Sequence, residues 1–201
     1  MTVALIDYGA GNLHSVANAL KAAGADDVAI TADADLVAKA DRIVLPGVGA
    51  YGACAAALRA VPGMIEALDR RVTGDGVPFL GICVGMQLMA ETGEEHGVHR
   101  GLGWMQGKVA LLTPADPAAK VPHMGWNDVA PALRHALIEP GEAYFLHSYG
   151  YRGADVIATT DHDGAVTAAI GRDNMLGVQF HPEKSQRYGL ALLERFLAWR
   201  P

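Results

Sequence analysis

Only two of the 201 residues are cysteine. That is too few for a disulfide framework, and a reducing compartment leaves Cys54 and Cys83 as thiols. Basic residues are also scarce: 16 Lys and Arg stand against 22 Asp and Glu, for a formal net charge of −6. No basic run could neutralise a row of phosphates, which excludes nucleic acid as an expected partner. Long apolar runs are missing as well. The opening MTVALIDYGAGN holds an apolar run of about five residues with no basic lead, too short for a signal peptide or a membrane span, and the expected address is cytoplasmic. There is no internal repeat, linker or low-complexity tract.

What is present describes a folded enzyme. Hydrophobic residues make up 51% of the chain, charged residues 19%, and 24 positions are Gly, a composition of compact chains with many tight turns. The length suits one α/β domain over residues 1–201.

The first half alternates short apolar runs with helical patterns: VALID (3–7), LHSVANALKAAG (13–24), RIVLPG (42–47), a helix to about residue 72, and VPFLGIC (77–83) leading into a helical VGMQLMAE. Strand, helix, strand, helix is the pattern of a parallel sheet covered on both faces. Ligands collect at the carboxyl ends of such strands, which here read DYGAGN, PGVGAYG and GICVG. After about residue 100 shorter, alternating segments predict a largely antiparallel extension of the same sheet. The closing SQRYGLALLERFLAW places Leu190, Leu193, Phe196 and Leu197 on one helical face.

Cys83 stands between a buried-looking strand and a helical pattern, the setting of a nucleophile elbow. Gly81 and Gly85 spare a strained turn any side chains, and a following helix N-terminus favours a thiolate. Cys54, in the Ala-rich YGACAAALRA, reads as inert core.

A thiol nucleophile needs an imidazole to move its proton and a carboxylate to orient the imidazole. MLGVQFHPEKS supplies both: His181 at a strand end and Glu183 two residues on, projecting to the same side if the backbone stays extended. The other seven histidines stand mostly in polar or loop contexts, and His162, in TDHDG, reads as solvent-facing. Glu94, Glu95, His96 and His99 in EEHGVH read as an exposed charged loop rather than a metal site.

GICVGMQ (81–87) and HPE (181–183) resemble the GxCxGxQ elbow and late HPE of class I, triad-type glutamine amidotransferases. DYGAGNLHSV, LPGVGAYG, HMGWN, FLHSYG and HPEKSQ are similar to the subfamily of glutaminase subunits that serve imidazole glycerol phosphate synthases, across nearly the whole chain. The resemblance implies an α/β fold, a flavodoxin-like three-layer sandwich around a mixed, mostly parallel central sheet. It implies a catalytic triad of Cys83, His181 and Glu183 that releases ammonia from glutamine with no metal or organic cofactor. It implies an oxyanion hole from the backbone N–H groups of Val48 and Val84, and substrate binding by Gly49, Gln87, Ser148 and Tyr149. The implied partner is a (β/α)8 cyclase subunit in a heterodimer, approached by Asn12, Trp126 and Lys184. Glutaminases of the pyridoxal phosphate or anthranilate pathways, and a non-catalytic regulatory subunit, are the alternatives. DYGAGN and HMGWN argue against the other pathways, and the intact Cys, His and Glu with Gln87 argue against a silent subunit.

Overall fold

The computed structural model describes residues 1–116 and 118–201. The first half runs β1 (Thr2–Ile6), α1 (Leu13–Ala22), β2 (Asp27–Thr31), α2 (Ala34–Val37), β3 (Arg42–Gly47), α3 (Tyr51–Ala60), α4 (Met64–Leu68), β4 (Phe79–Cys83) and α5 (Val84–Gln87). There follow β5 (Ala90–Gly93), β6 (His99–Arg100), β7 (Met105–Leu111), β8 (His123–Pro131), β9 (Gly141–His147), β10 (Tyr149–Gly153), β11 (Val156–Asp161), β12 (Ala165–Arg172), β13 (Met175–Val178) and α6 (Gln186–Ala198).

A nine-stranded sheet is ordered β2-β1-β3-β4-β13-β12-β11-β8-β9. From β2 to β13 all neighbours are parallel; beyond β13 all are antiparallel. The parallel part has the flavodoxin-like order, with β13 supplying the last strand. RIVLPG, FLGIC and MLGV are buried throughout, because parallel strands covered on both faces are apolar along nearly their whole length rather than at alternate positions; the exception, Arg42, donates to Leu197 O at 2.7 and 3.0 Å. From β1 the chain steps one way to β2 and then back past β1 to β3. Right-handed crossovers therefore put α1 and α2 on opposite faces. α1 packs with α6, and α4 with α2 and α3.

Register sets the site. Gly47 at the end of β3 pairs with Cys83 at the end of β4, and Val178 of β13 pairs with Ile82. The chain leaves all three strands at one edge, so the loop after Gly47, the thiol of Cys83 and the segment after Val178 converge there.

Three expectations need correction. The antiparallel segments do not all extend the main sheet: β10, β7, β5 and β6 form a second, four-stranded sheet. VGMQLMAE is helical only through Gln87. The carbonyls that would continue that helix are taken by a returning segment between β6 and β7, with Leu102 N bonded to Leu88 O and Gly103 N to Ala90 O. The helix to residue 72 is in fact broken. Pro62 follows α3, Gly63 turns with φ +71, α4 restarts, and a wider π turn closes it over Asp69–Gly74. In α6, Leu192 is buried with Leu193, Phe196 and Leu197, while Leu190 is half-buried.

Candidate active site

Cys83 is a non-glycine residue at φ +53 and ψ −111. Such a backbone costs energy and persists only where its surroundings leave no alternative. The two flanking glycines make it possible. A Cβ on Gly81 would lie 2.8 Å from the Gly85 carbonyl oxygen, and one on Gly85 would overlap the Leu45 carbonyl. The turn presents the thiol, itself nearly buried, into a cleft of about 300 Å³ at the carboxyl ends of β3, β4 and β13.

His181 lines the same cleft and is only 3% exposed. Its Nδ1 lies 2.9 Å from Glu183 Oε1, which leaves Nε2 for Cys83. The backbone here is not extended as expected: Pro182–Lys184 forms a single 3-10 turn, and that turn swings Glu183 back onto the ring. Ser185, fully buried, fastens the turn by donating to the His181 carbonyl at 2.6 Å and accepting from Tyr144 N at 3.0 Å. Glu183 Oε2 has no hydrogen-bond partner among the described residues, so the carboxylate's charge is directed at His181. Burial alone would lower the His181 pKa, but Cys83 and Glu183 outweigh it and raise it to about 9.

Val48, Gly49, Val84 and Gln87 line this cleft, as do Ser148 between β9 and β10 and Tyr149 at the start of β10. Gln87 is nearly buried and donates through Nε2 to Tyr149 O at 2.9 Å and to Gln179 Oε1 at 3.0 Å. Val48 is 44% exposed and Gly49 has φ +100, so the PGVG loop stands at the rim. A hollow of about 350 Å³ lies elsewhere, beside Tyr151, Arg152, His162 and Thr167. Among the described residues its lining includes no cysteine, whereas the smaller cleft holds a cysteine beside a His–Glu pair.

A nucleophilic cysteine with an imidazole and a carboxylate behind it is the arrangement for acyl transfer. The class-I glutamine amidotransferase family profile matches residues 4–199. The chain belongs to that family. An "imidazole glycerol phosphate synthase subunit HisH" from Zymomonas mobilis is 61% identical, over all of this chain and 97% of that protein. A protein of the same name from Caulobacter vibrioides is 54% identical, over all of this chain and 99% of its own length. Among solved structures, a glutamine amidotransferase superposes with TM-score 0.74 at 18% identity, covering 98% of this chain and 97% of the other. PurLQS from Thermotoga maritima gives 0.69 at 19%, with coverage of 98% and 97%. Both share the glutamine amidotransferase fold.

Several residues of this amidotransferase cleft carry no signal that sequence reasoning used. Gln179, fully buried, donates to Cys83 Sγ at 3.7 Å and receives Gln87; its one visible mark is a polar residue inside the apolar MLGVQF. Glu95 lines the cleft and accepts from Tyr51 N at 2.7 Å. EEHGVH is therefore not simply an exposed loop: Glu94 pairs with Lys108, and His99 packs against Gly52. Nor are the histidines mostly in polar loops. His123 and His147 are buried neighbours in β8 and β9, 3.1 Å apart, and His162 stacks on His123 with ring centres 4.2 Å apart.

Lys184 lines the mouth of the cleft and lies over the Tyr144 ring, 5.8 Å from its centre. Trp126 is 48% exposed and meets Tyr144 edge-on at 6.2 Å. Asn12 is exposed at the start of α1.

Proposed function

We propose that this chain is the glutaminase subunit of an imidazole glycerol phosphate synthase, acting as one amidotransferase domain over residues 1–201. It hydrolyses glutamine to glutamate and ammonia and delivers the ammonia to a (β/α)8 cyclase subunit, which forms imidazole glycerol phosphate and aminoimidazole carboxamide ribonucleotide in histidine biosynthesis. The reading rests on the full-length likeness to proteins named as HisH subunits of that synthase. It rests equally on one geometric observation: the thiol of a strained elbow and a His–Glu pair share a single small cleft.

The Cys83 thiol passes its proton to His181 as its sulfur attacks the side-chain amide carbon of glutamine. The resulting oxyanion is held by the N–H groups of Val84 and Val48, each typically contributing about 3 kcal/mol to barrier lowering. His181 gives its proton to the departing nitrogen as the carbon–nitrogen bond breaks, leaving a thioester on Cys83 and free ammonia. It then takes a proton from water, whose oxygen attacks the thioester, and glutamate leaves as the thiol is restored. Glu183 keeps the imidazole oriented through both steps.

Gln87, Ser148, Tyr149 and the backbone at Gly49 receive the amino-acid part of the substrate, and the Glu95 carboxylate suits its ammonium group. Asn12, Trp126 and Lys184 face the cyclase. The Gly47–Val48 peptide turns its N–H into the site when the cyclase holds its nucleotide, so that free chain hydrolyses glutamine slowly. The enzyme works in the cytoplasm.

Glutamate release is measured for the purified chain alone, with the cyclase, and with the cyclase and its nucleotide substrate. Activity should rise in that order and vanish in Cys83→Ala. Retained activity in that variant rejects the reading.

A further inference from the structure

The PGVG loop is held at two points outside the triad. Tyr8, just past β1, donates its hydroxyl to Pro46 O at 2.8 Å. Cys54, on α3, donates its thiol to Val48 O at 3.4 Å. Both side chains are buried. Burial raises the pKa of each, so each keeps the proton it donates.

These carbonyls belong to the two peptide planes on either side of Gly47–Val48. The plane between them carries the Val48 N–H. A rigid peptide plane can rotate between fixed neighbours only by opposed changes in the two dihedrals that flank it, here ψ of Gly47 and φ of Val48. Gly47 is the residue that lets this happen against the elbow: a Cβ there would lie 2.7 Å from the Tyr8 hydroxyl and 2.8 Å from Gly85 N.

We propose that Tyr8 and Cys54 are positioning residues that pin the Pro46 and Val48 carbonyls, so that switching the glutaminase turns the Gly47–Val48 peptide and nothing else. This rests on the reading of the Val48 N–H as an oxyanion donor. Cys54 thus does more than fill space in an Ala-rich helix. Without either anchor the motion spreads into a neighbouring plane, and the donor no longer stops where the oxyanion forms.

The test uses the complete enzyme, chain plus cyclase plus nucleotide substrate, and compares Cys54→Ala, Cys54→Ser, Tyr8→Phe and Cys83→Ala. Cys54→Ala and Tyr8→Phe should each lower stimulated kcat about tenfold with KM within about twofold, a loss smaller than removal of an oxyanion donor causes. Alkylation of Cys83 by iodoacetamide, which needs no oxyanion hole, should keep its wild-type rate by mass analysis of the Cys83 peptide. Cys54→Ser should recover at least half of kcat, because a hydroxyl can donate to Val48 O as a methyl cannot.

Wild-type kcat in both Cys54→Ala and Tyr8→Phe overturns the proposal, as does a loss of kcat matched by slower Cys83 alkylation, which marks general damage to the elbow. If Cys54→Ala does not fold, Tyr8→Phe decides, since it removes one oxygen atom and no volume of note. Activity in Cys83→Ala would instead reject the glutaminase reading; a dead Cys83→Ala beside fully active Cys54→Ala and Tyr8→Phe rejects the anchors alone.

Discussion

His181 is where burial and charge compete most directly. Removing an imidazole from water disfavours its cation, yet Glu183 at 2.9 Å and the Cys83 thiol lift the pKa to about 9. The proton needed by the departing ammonia is therefore held at physiological pH and lost as pH rises through about 9. Glutaminase kcat/KM should fall on that alkaline limb, and Glu183→Gln should move the limb toward neutral pH; a pH–rate profile of both proteins measures it. The same shift contributes stability that is complete below the ordinary histidine value of about 6.5 and disappears as pH rises through about 9.

Two elements act through close fit. β3 and the short α5 approach so tightly that Gly85 has the Leu45 carbonyl where a Cβ would be. Gly85→Ala must therefore push α5 away from β3. It should cost about 3 kcal/mol, or roughly 6–12 °C in melting temperature by calorimetry, and slow Cys83 alkylation because the elbow moves with α5. β8 and β9 act through polarity. His123 accepts from Asn127 at 3.0 Å and donates to His147, which donates to Tyr149 O at 2.9 Å. Burial lowers the pKa of His123 and of His147 to about 4 each. The folded dyad thus stays neutral while the unfolded chain takes up protons below about pH 6.5. Stability should be lost progressively from there down to about pH 4; because the opposing His181 contribution is complete below about pH 6.5, the urea midpoint should be lower at pH 5 than at pH 6.

For the molecule as a whole, the parallel half of the sheet supplies the edge that carries Cys83 and His181, and the end of β9 with Ser148 and Tyr149 walls the cleft, while Tyr144 of β9 lies beside Lys184 of the cleft lining. Trp126 meets the Tyr144 ring edge-on, and Lys184 lies over that ring. An exposed tryptophan on a rigid strand is suited to anchor a partner. Trp126→Ala should weaken association with the cyclase by about 2 kcal/mol, roughly thirtyfold in Kd by titration.

The candidate site was legible in linear order. Cys83 lies inside GICVG, His181 and Glu183 inside HPE, and the inner parallel strands betray themselves as apolar runs, because these are local requirements of a tight turn and a two-sided sheet; the part-exposed edge strand β2, DVAIT, gives no such run and is not legible. Tertiary structure alone decided the rest. Whether residues 88–93 continue a helix depends on hydrogen bonds from Leu102 and Gly103, and whether two histidines are wet or buried depends on β8 meeting β9. Cys54 reads as packing because its own segment is rich in alanine. Its second role exists only because α3 brings that thiol to a carbonyl six residues earlier, at the edge where Tyr8 also arrives. Local sequence specifies what a residue can donate; only the fold specifies which acceptor it meets.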